Sequence, residues 1–321
     1  MGDTTTIEWT DRTWNPVTGC TKISAGCDNC YAETIAERFR GHAAFPHGFD
    51  IQIRADKVND PLTWRKPARV FVNSMSDLFH ADIDQAWIAD IVAVMAAARR
   101  HSFQLLTKRH ARLRSLFNDA GFIENVRHRA VGKGLPAEQW QWPLPNLWLG
   151  VSVENQQWAD IRIPALIDTP AAVRFLSCEP LLGPIWIDDY LWQPCTCCHG
   201  EPHDEACNTC ADTHCEDGHI RQLDWVIVGG ESGRKARPMN PQWVTSLRDQ
   251  CTQTHVPFFF KQWGEYVPTG YHVIGDTTKG TLLIGDPVDD LGHRIELARV
   301  GKKAAGRELD GRTWDQFPQA S

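Results

Sequence analysis

Residues 19–31 read Gly-Cys-Thr-Lys-Ile-Ser-Ala-Gly-Cys-Asp-Asn-Cys-Tyr, and the chain is organised around this stretch. It holds Cys20, Cys27 and Cys30 at a C-x6-C-x2-C spacing. A loop that runs into the start of a helix can bring three thiolates onto one inorganic centre, and three protein ligands leave one coordination position free, as reactive metal sites require. The alternatives are a structural zinc site that lacks one ligand and the cysteines of an ordinary core. We favour an iron–sulfur cluster because of features further along the chain.

A helix is predicted to begin at the third cysteine. Within residues 29–40, Tyr31, Ile35 and Phe39 recur at helical spacing. Cys30 would therefore lie at the positive end of the helix dipole, which favours the thiolate form of a cysteine. This position suits a metal ligand.

The composition is that of a globular chain. With 321 residues, of which 42% are hydrophobic and 10% aromatic, the chain can bury a large core, and one barrel or open α/β domain of this size is ordinary. A net charge of -7 argues against coating of a polyanion, although a local basic patch could still hold nucleic acid. No apolar run approaches the roughly 18 to 20 residues that span a bilayer, and residues 1–19 lack the apolar core of a secretory signal. We expect a cytoplasmic protein with no membrane partner.

Short apolar strands alternate with helices along most of the chain. Strands are predicted at 69–72, 102–107, 147–152, 173–177, 225–229 and 256–260, with a further candidate at 7–10 before the cysteine loop. Helices are predicted at 85–100, 109–118, 155–167 and 241–254, and residues 119–146 are predicted to be a loop-rich excursion. Strands that are apolar on both faces indicate a parallel sheet covered by helices. The predicted fold is an α/β partial (β/α) barrel of about six to seven parallel strands.

Three regions are predicted. The partial barrel spans 1–264, a cysteine-rich insertion lies within it at 194–222, and a β-rich or irregular C-terminal extension covers 265–321. In that extension, glycines interleaved with Lys302, Lys303 and Arg307 could form an anion-binding lid. We favour the alternative of a solvated tail that is packed by Leu309 and Trp314.

Polar residues follow each predicted strand directly. Because loops at the carboxyl edge of a parallel sheet build active sites, these residues are candidates for a site. Glu154, Glu179 and Glu231 stand at corresponding strand ends and would converge on one rim. Exit of the strands into solvent and helix caps is the alternative for part of the set. Further candidates are Asn73, Ser74, Ser76, Asp77, Ser152, Gly229, Gly230 and Lys261.

A basic run opens the predicted helix that follows the strand at 102–107. It contains Lys108, Arg109, Arg112 and Arg114. A solvated helix face is the default interpretation of such a run, and a surface that contacts phosphate beside the active rim is the alternative.

A second cysteine group suggests a separate metal site. Of the 11 cysteines, most fall into two tight groups, which in a chain without an export signal favours metal ligation over disulfides. Two CxxC pairs, which together can supply a closed tetrahedral zinc site, are formed by Cys195, Cys198, Cys207 and Cys210. Five more possible ligands leave open which residues bind the metal: Cys197, His199, His203, His214 and Cys215. A second iron–sulfur cluster is the alternative to zinc. Metal binding is expected to fold this polar insertion. Cys178 and Cys251 are predicted to be ordinary buried cysteines.

The motifs together resemble those of a widespread phage and bacterial family of unknown function. They are Trp14-Asn15-Pro16 before Gly19-Cys20, Gly26 to Ala32, Asn73 to Phe79, Glu179 to Pro184, Val228 to Gly233, and Gly306-Arg307 with Leu309-Asp310-Gly311. The resemblance covers nearly the whole chain. That family is in turn similar to radical S-adenosylmethionine enzymes, which use a partial barrel with a three-cysteine loop after its first strand.

The resemblance implies a cofactor arrangement. Cys20, Cys27 and Cys30 would hold three irons of a [4Fe-4S] cluster, and the fourth iron would chelate S-adenosylmethionine. One-electron transfer would then cleave this cofactor to a 5'-deoxyadenosyl radical that abstracts hydrogen from the substrate. A reducing partner such as flavodoxin or ferredoxin would supply the electron.

The same resemblance distributes roles over the strand ends. Tyr31 matches the aromatic residue that is common after the third cysteine, and residues 73–77 take the place of the motif that binds the cofactor amino group. Residues predicted to bind the cofactor are Tyr31, Asn73, Ser74, Ser76, Asp77, Ser152, Gly229 and Gly230. Catalytic candidates are Glu154, Glu179, Glu231 and Lys261.

The leading hypothesis is a radical enzyme that modifies a nucleic acid or a nucleotide. The substrate class is inferred from the phage association of the family, the basic helix and the predicted zinc insertion. The alternative is a non-catalytic nucleic-acid-binding protein with zinc at both cysteine groups. The substrate, the product and the oligomeric state stay open at this point.

Overall fold

The structure is a computed structural model that describes residues 5–194, 215–216, 219–272 and 280–318. The strands of these residues, in chain order, are β1 (Arg12–Trp14), β2 (Val17–Thr18), β3 (Gln52–Ile53), β4 (Arg69–Val72), β5 (Ser102–Thr107), β6 (Leu147–Ser152), β7 (Val173–Cys178), β8 (Trp192–Pro194), β9 (Cys215–Glu216), β10 (His219–Arg221), β11 (Trp225–Gly229), β12 (Phe258–Gln262), β13 (Tyr266–His272), β14 (Thr281–Ile284) and β15 (Arg294–Arg299). The α-helices are α1 (Tyr31–Arg38), α2 (Asp60–Thr63), α3 (Gln85–Ala97), α4 (His110–Phe117), α5 (Ala120–Gly132), α6 (Gln156–Ile167), α7 (Asp188–Leu191), α8 (Pro241–Gln253) and α9 (Lys302–Ala305). Short 3-10 helices occur at Ala25–Cys27, Ala55–Lys57 and Ala137–Gln139.

The main sheet has seven strands in the order β1-β4-β5-β6-β7-β11-β12. The neighbours β1–β4, β4–β5, β5–β6 and β11–β12 pair in parallel. The strands follow one another in chain order, which is the winding of a (β/α) barrel, and β1 and β12 stand at the two ends of the order. The predicted α/β class, a partial barrel of parallel strands, is confirmed.

The apolar strands are buried as their composition predicts. Every residue of β6 and every residue of β11 is buried. Gly150 in β6 leaves room for the Phe175 ring of β7, because a Cβ atom at Gly150 would lie 2.4 Å from that ring. The strand core is therefore packed closely enough for one glycine to be required.

Two sequence predictions about strands need correction. Residues 7–10 form a turn in which the Thr10 amide bonds to the Ile7 carbonyl, so the first strand is β1 rather than this segment. The strand predicted at 256–260 begins at Phe258, because its pairing with β11 starts with Val226 opposite Phe258. Trp9 and Val256 are buried, but the backbone pairing that defines a strand lies elsewhere.

The prediction of a loop-rich excursion at 119–146 was wrong for residues 120–132. Helix α5 occupies the first part of it, and the Asp119 carboxylate accepts a hydrogen bond of 2.6 Å from the Phe122 amide at the helix start. Phe122, Val126 and Ala130 recur at helical spacing and are buried. An aspartate cap followed by this spacing indicates a helix. The prediction missed it because the tryptophans and prolines nearby indicate a loop.

The chain divides into two compact units, Met1–Ser152 with Ile161–Phe175, and Val153–Asp160 with Leu176–Ser321. The predicted boundaries at 1–264, 194–222 and 265–321 stay predictions. In the second unit, β13, β15 and β14 form an antiparallel sheet. Leu309 and Trp314 are buried near the C-terminus. This is the packed tail that we favoured.

The cysteine-rich insertion is described only in part. Strands β8, β10 and β9 form a small antiparallel sheet at its two ends. The predicted zinc ligands Cys195, Cys198, Cys207 and Cys210 lie outside the described residues. Elsewhere, no helix in the described ranges is long and apolar enough to cross a membrane.

Candidate functional site

The cysteine loop begins at the carboxyl end of the first strands. Gly19 donates its amide to the Met75 carbonyl over 3.0 Å and forms an isolated parallel bridge with Ser76, so the loop starts against the segment that follows β4. The φ angle of Gly19 is 89°, and a Cβ atom there would lie 2.2 Å from the Asp50 carbonyl oxygen. Only glycine fits at this point.

The three cysteines lie on the loop and on the helix that follows it. Cys27 ends the 3-10 helix Ala25–Cys27, and Cys30 is the residue before α1. All three are half-buried free thiols. No group of three or more His, Cys, Asp or Glu side chains in the described ranges is arranged to hold a metal ion. The thiols therefore share one loop without being set in a ligating geometry.

The electrostatics of the loop penalise uncompensated thiolates. Burial raises the pKa of the Cys30 thiol, whereas the backbone amides of Glu33 and Ala32 lower it. The predicted effect of the helix start is present, but burial outweighs it. Burial also raises the pKa of Cys20, and the charge of Cys27 adds to this increase. A bound cation would compensate buried thiolates directly, so the donor set suits a thiolate-bound metal centre.

Arg109 links the cysteine loop to the end of β5. Its Nη1 atom donates to the Cys20 sulfur over 3.4 Å, and its Nη2 atom donates to the Thr21 carbonyl and hydroxyl oxygens over 3.1 and 3.0 Å. The same guanidinium lies 3.4 Å from the Asp77 carboxylate. The Arg109 charge lowers the pKa of Cys20, opposite to the effects of burial and of Asp77.

Asp77 is engaged on both carboxylate oxygens. Oδ1 accepts from the Thr107 hydroxyl over 2.7 Å and from the Phe79 amide over 3.0 Å, and Oδ2 accepts from the Lys108 amide over 3.0 Å. Together with Arg109, these donors hold Asp77 firmly between the ends of β4 and β5. We therefore interpret Asp77 as a hydrogen-bond acceptor that stabilises the ends of β4 and β5.

The basic helix does not present all its arginines to solvent. Arg109 turns toward the cysteine loop, and Arg112 donates to the carbonyls of His80 and Ile83. The default interpretation of a solvated face is wrong for these two residues, because their guanidiniums satisfy groups of the cysteine loop and of the segment after β4. His80 is itself buried, accepts or donates a 2.7 Å bond with Thr21, and has its pKa lowered by burial and by Arg109.

The segment after β4 contains one side chain with unsatisfied atoms. Asn73 is 3% exposed, has a φ of 61°, and its side-chain nitrogen and oxygen have no hydrogen-bond partner among the residues the structure describes. Its neighbours are engaged: Tyr31 donates to the Ser74 carbonyl over 2.6 Å, and the Ser76 hydroxyl donates to the Val17 carbonyl over 2.8 Å. Buried amides without partners are uncommon and point to a missing ligand or water.

Helix α1 exposes its larger apolar side chains. Tyr31 and Ile35 of the helix, and Phe39 directly after it, are 51%, 40% and 48% exposed, and the small residues Ala32 and Ala36 form the buried side. The spacing of the apolar residues predicted the helix itself correctly.

A second cluster of candidates lies in the second unit. The Lys261 ammonium is 2.9 Å from the Glu179 carboxylate, which also accepts from the Ser177 hydroxyl over 3.3 Å. A Cβ atom at Gly229 would lie 2.7 Å from this carboxylate. The ends of β7, β11 and β12 thus meet around one charged pair.

The other predicted residues of that unit have different surroundings. The Glu231 carboxylate accepts from the Arg237 amide over 2.8 Å and from its guanidinium over 3.0 and 2.7 Å, so it closes the loop after β11. A Cβ atom at Gly230 would lie 1.9 Å from the Trp263 carbonyl oxygen, which explains this glycine by packing. Glu154 is fully buried.

Two buried cysteines and one serine complete the set. Cys178 and Cys251 are fully buried, as predicted, and burial raises the pKa of both. Ser152 is also buried, and its carbonyl accepts a hydrogen bond of 2.7 Å from Arg162. Sequence reasoning missed Arg237 and treated Arg109 as helix surface, although the position of Arg109 directly after β5 was a usable signal.

These features define an α/β protein with a parallel sheet of (β/α)-barrel winding and a three-cysteine loop after its first strand. Residues 4–318 match the family described as "Protein of unknown function (DUF5131)". The chain belongs to this family. No curated protein matches the sequence.

Two solved structures resemble part of the chain. Spore photoproduct lyase complexed with dinucleoside spore photoproduct is 12% identical over 54% of this chain, with a TM-score of 0.33. A cysteine-to-alanine mutant of spore photoproduct lyase with the same dinucleoside is 13% identical over 53% of this chain, with a TM-score of 0.32. The alignment spans 46% of each of those chains.

Proposed function

We propose that the protein is a radical S-adenosylmethionine enzyme. Cys20, Cys27 and Cys30 would hold a [4Fe-4S] cluster, and S-adenosylmethionine would occupy the remaining iron site. When bound, these groups supply one-electron cleavage of the cofactor and hydrogen abstraction by the resulting 5'-deoxyadenosyl radical. The observation that carries the proposal is the placement of three half-buried thiols on one loop at the carboxyl end of β1 in a parallel barrel sheet.

The electrostatics and the neighbouring segment support this proposal. Burial raises the pKa of Cys20 and of Cys30, and a metal centre would relieve that penalty. Asn73 follows β4, its backbone amide bonds to the Trp14 carbonyl at the end of β1, and its side-chain amide lacks a partner among the described residues. An amide can both donate and accept hydrogen bonds, so we propose that the Asn73 side chain binds polar groups of the cofactor.

The charged pair of the second unit is a candidate for substrate chemistry. Glu179 and Lys261 are mostly buried and stand at the carboxyl ends of β7 and β12, the edge where parallel sheets bind ligands. A carboxylate and an ammonium in contact can exchange a proton with a reacting group. Their catalytic role stays a prediction.

The substrate class that we propose is a nucleic acid or a nucleotide. Its support is the cysteine-rich insertion, whose CxxC pairs are typical of small zinc modules. The basic run at the start of α4 adds less support than the sequence indicated, because Arg109 and Arg112 bind groups of the protein itself. Mass spectrometry of nucleic acids incubated with the loaded enzyme tests this part.

Anaerobic reconstitution tests the class of enzyme. We expect a brown protein with about four iron and about four sulfide per chain, which cleaves S-adenosylmethionine under reductant. Cys27→Ala should lose the cluster, whereas Cys251→Ala, which removes a buried thiol outside the loop, should keep it. The variants should be compared at equal folded fraction by circular dichroism.

The same experiment examines the alternative function. Zinc alone at both cysteine groups, with no cofactor cleavage by an anaerobically prepared sample, would contradict the proposal. That result would favour a non-catalytic, zinc-stabilised nucleic-acid-binding protein.

A further inference from the structure

Arg109 contacts a proposed cluster ligand from a distant part of the chain. Its side chain is 13% exposed, and its Nη1 atom lies 3.4 Å from the Cys20 sulfur. A guanidinium carries a permanent positive charge and five N–H donors, and none of its groups accepts a hydrogen bond. A thiolate sulfur at this position would therefore be stabilised both by charge and by the hydrogen bond.

The guanidinium is held in place from two sides. Its second nitrogen donates to the Thr21 carbonyl and hydroxyl, and Asp77 lies 3.4 Å from the first. Asp77 is in turn fixed by the Thr107 hydroxyl and by the Lys108 amide. Because its oxygens are engaged in this way, Asp77 is better suited to positioning Arg109 than to binding a cofactor.

We propose that Arg109 is a positioning residue that sets the reduction potential of the cluster through the sulfur of Cys20. This proposal rests on the proposed function. One-electron reduction makes a cluster more negative, so a nearby cation and a hydrogen bond to a ligand sulfur stabilise the reduced form and raise the potential. Radical chemistry needs the cluster to accept an electron from the reducing partner, and Arg109 makes that transfer more favourable.

A purely structural role predicts a different result. The bonds from Arg109 to Thr21 also tie the loop to α4, and their loss would lower stability without changing the potential. Arg112 provides the matched control, since it lies in the first turn of α4, which Arg109 directly precedes, and binds the carbonyls of His80 and Ile83.

The experiment measures the midpoint potential of the reconstituted full chain by an EPR-monitored titration without S-adenosylmethionine. In Arg109→Gln, which is neutral, we expect the equilibrium constant for reduction to fall at least tenfold, a negative shift of about 59 mV for one electron. Arg109→Lys keeps the charge but not the fork geometry and should shift in the same direction by less. Arg112→Lys should match the wild type.

The outcomes distinguish failure of the Arg109 role from failure of the proposed function. An unchanged potential in Arg109→Gln at wild-type iron content would overturn the role of Arg109 and leave the proposed function standing. If Arg109→Gln fails to load a cluster, Arg109→Lys decides, and an unchanged potential there overturns the role equally. A wild-type protein that takes up no iron–sulfur cluster overturns the proposed function and this inference together.

Discussion

Lys261 and Glu179 form an ion pair of 2.9 Å that joins the ends of two parallel strands, β12 and β7. The two side chains are 19% and 15% exposed. The pair therefore lies in a place where charge is costly unless it is compensated, and where a substrate could exchange with one partner.

Removal of one partner should be more damaging than removal of both. In Lys261→Met, the Glu179 carboxylate loses its charged partner, and we expect the free energy of unfolding to fall by about 1 to 3 kcal/mol. The double variant Glu179→Gln with Lys261→Met should lose less unfolding free energy than Lys261→Met alone, because no carboxylate is left without its partner. Urea unfolding measures these values.

An exposed ion pair provides the control for that series. Glu124 and Arg127 form a pair of 2.8 Å with side chains that are 65% and 42% exposed. Arg127→Met should cost less than about 0.5 kcal/mol. Equal losses of unfolding free energy at the two pairs would show that burial does not determine how much the Lys261–Glu179 pair contributes to stability.

Asn73 should be required for cofactor binding and dispensable for folding. Its φ of 61° is a conformation that glycine adopts freely, so Asn73→Gly removes the buried amide without backbone strain. We expect at least a tenfold loss of affinity for S-adenosylmethionine, about 1.4 kcal/mol, in equilibrium dialysis against the reconstituted protein. Cys251→Ala, a buried substitution outside the proposed site, is the comparison and should keep wild-type affinity. Wild-type affinity in Asn73→Gly would remove this residue from the proposed site.

Gly230 should tolerate no side chain. A Cβ atom there would lie 1.9 Å from the Trp263 carbonyl oxygen, so Gly230→Ala requires a backbone shift and should cost about 1 to 3 kcal/mol. Gly132, in α5, has open space around its Cβ position, and Gly132→Ala should instead stabilise by about 0.5 to 1 kcal/mol. Thermal unfolding of the two variants should move in opposite directions. A stable Gly230→Ala protein would mean that the glycine serves something other than packing.

His101 should make the fold sensitive to acid. It is 1% exposed, and burial lowers its pKa below the ordinary value of 6.5, with Arg100 and Arg12 adding to the decrease. A lowered folded-state pKa means that the unfolded chain binds more protons, so stability is fully present above pH 6.5 and is lost as the pH falls toward the folded-state pKa.

Substitution tests this assignment of the acid sensitivity. His101→Leu should reduce the difference in unfolding free energy between pH 7.5 and about pH 5, as measured by urea unfolding. His80 and His110 also have lowered pKa values, so part of the difference should persist. An undiminished difference in His101→Leu would assign the acid sensitivity to those other residues.

The strands were predicted well because their signal is local. Runs such as β6 and β11 are apolar on both faces and begin and end where the composition changes, so their bounds agree with the structure. Helix α5 was missed because its cap and buried spacing stand beside tryptophans and prolines that indicate a loop. The first strand was misplaced because the buried Trp9 lies in a turn that precedes β1.

The sequence by itself determined that a parallel α/β sheet forms and that three cysteines share one loop, because periodicity and short spacing are properties of neighbouring residues. The tertiary structure alone decided which side chains meet. Arg109 reaches Cys20 across 89 residues, and Thr107 reaches Asp77 across 30. Such contacts depend on the order and register of the strands and on the direction in which side chains point at the strand ends. No local sequence pattern encodes these properties.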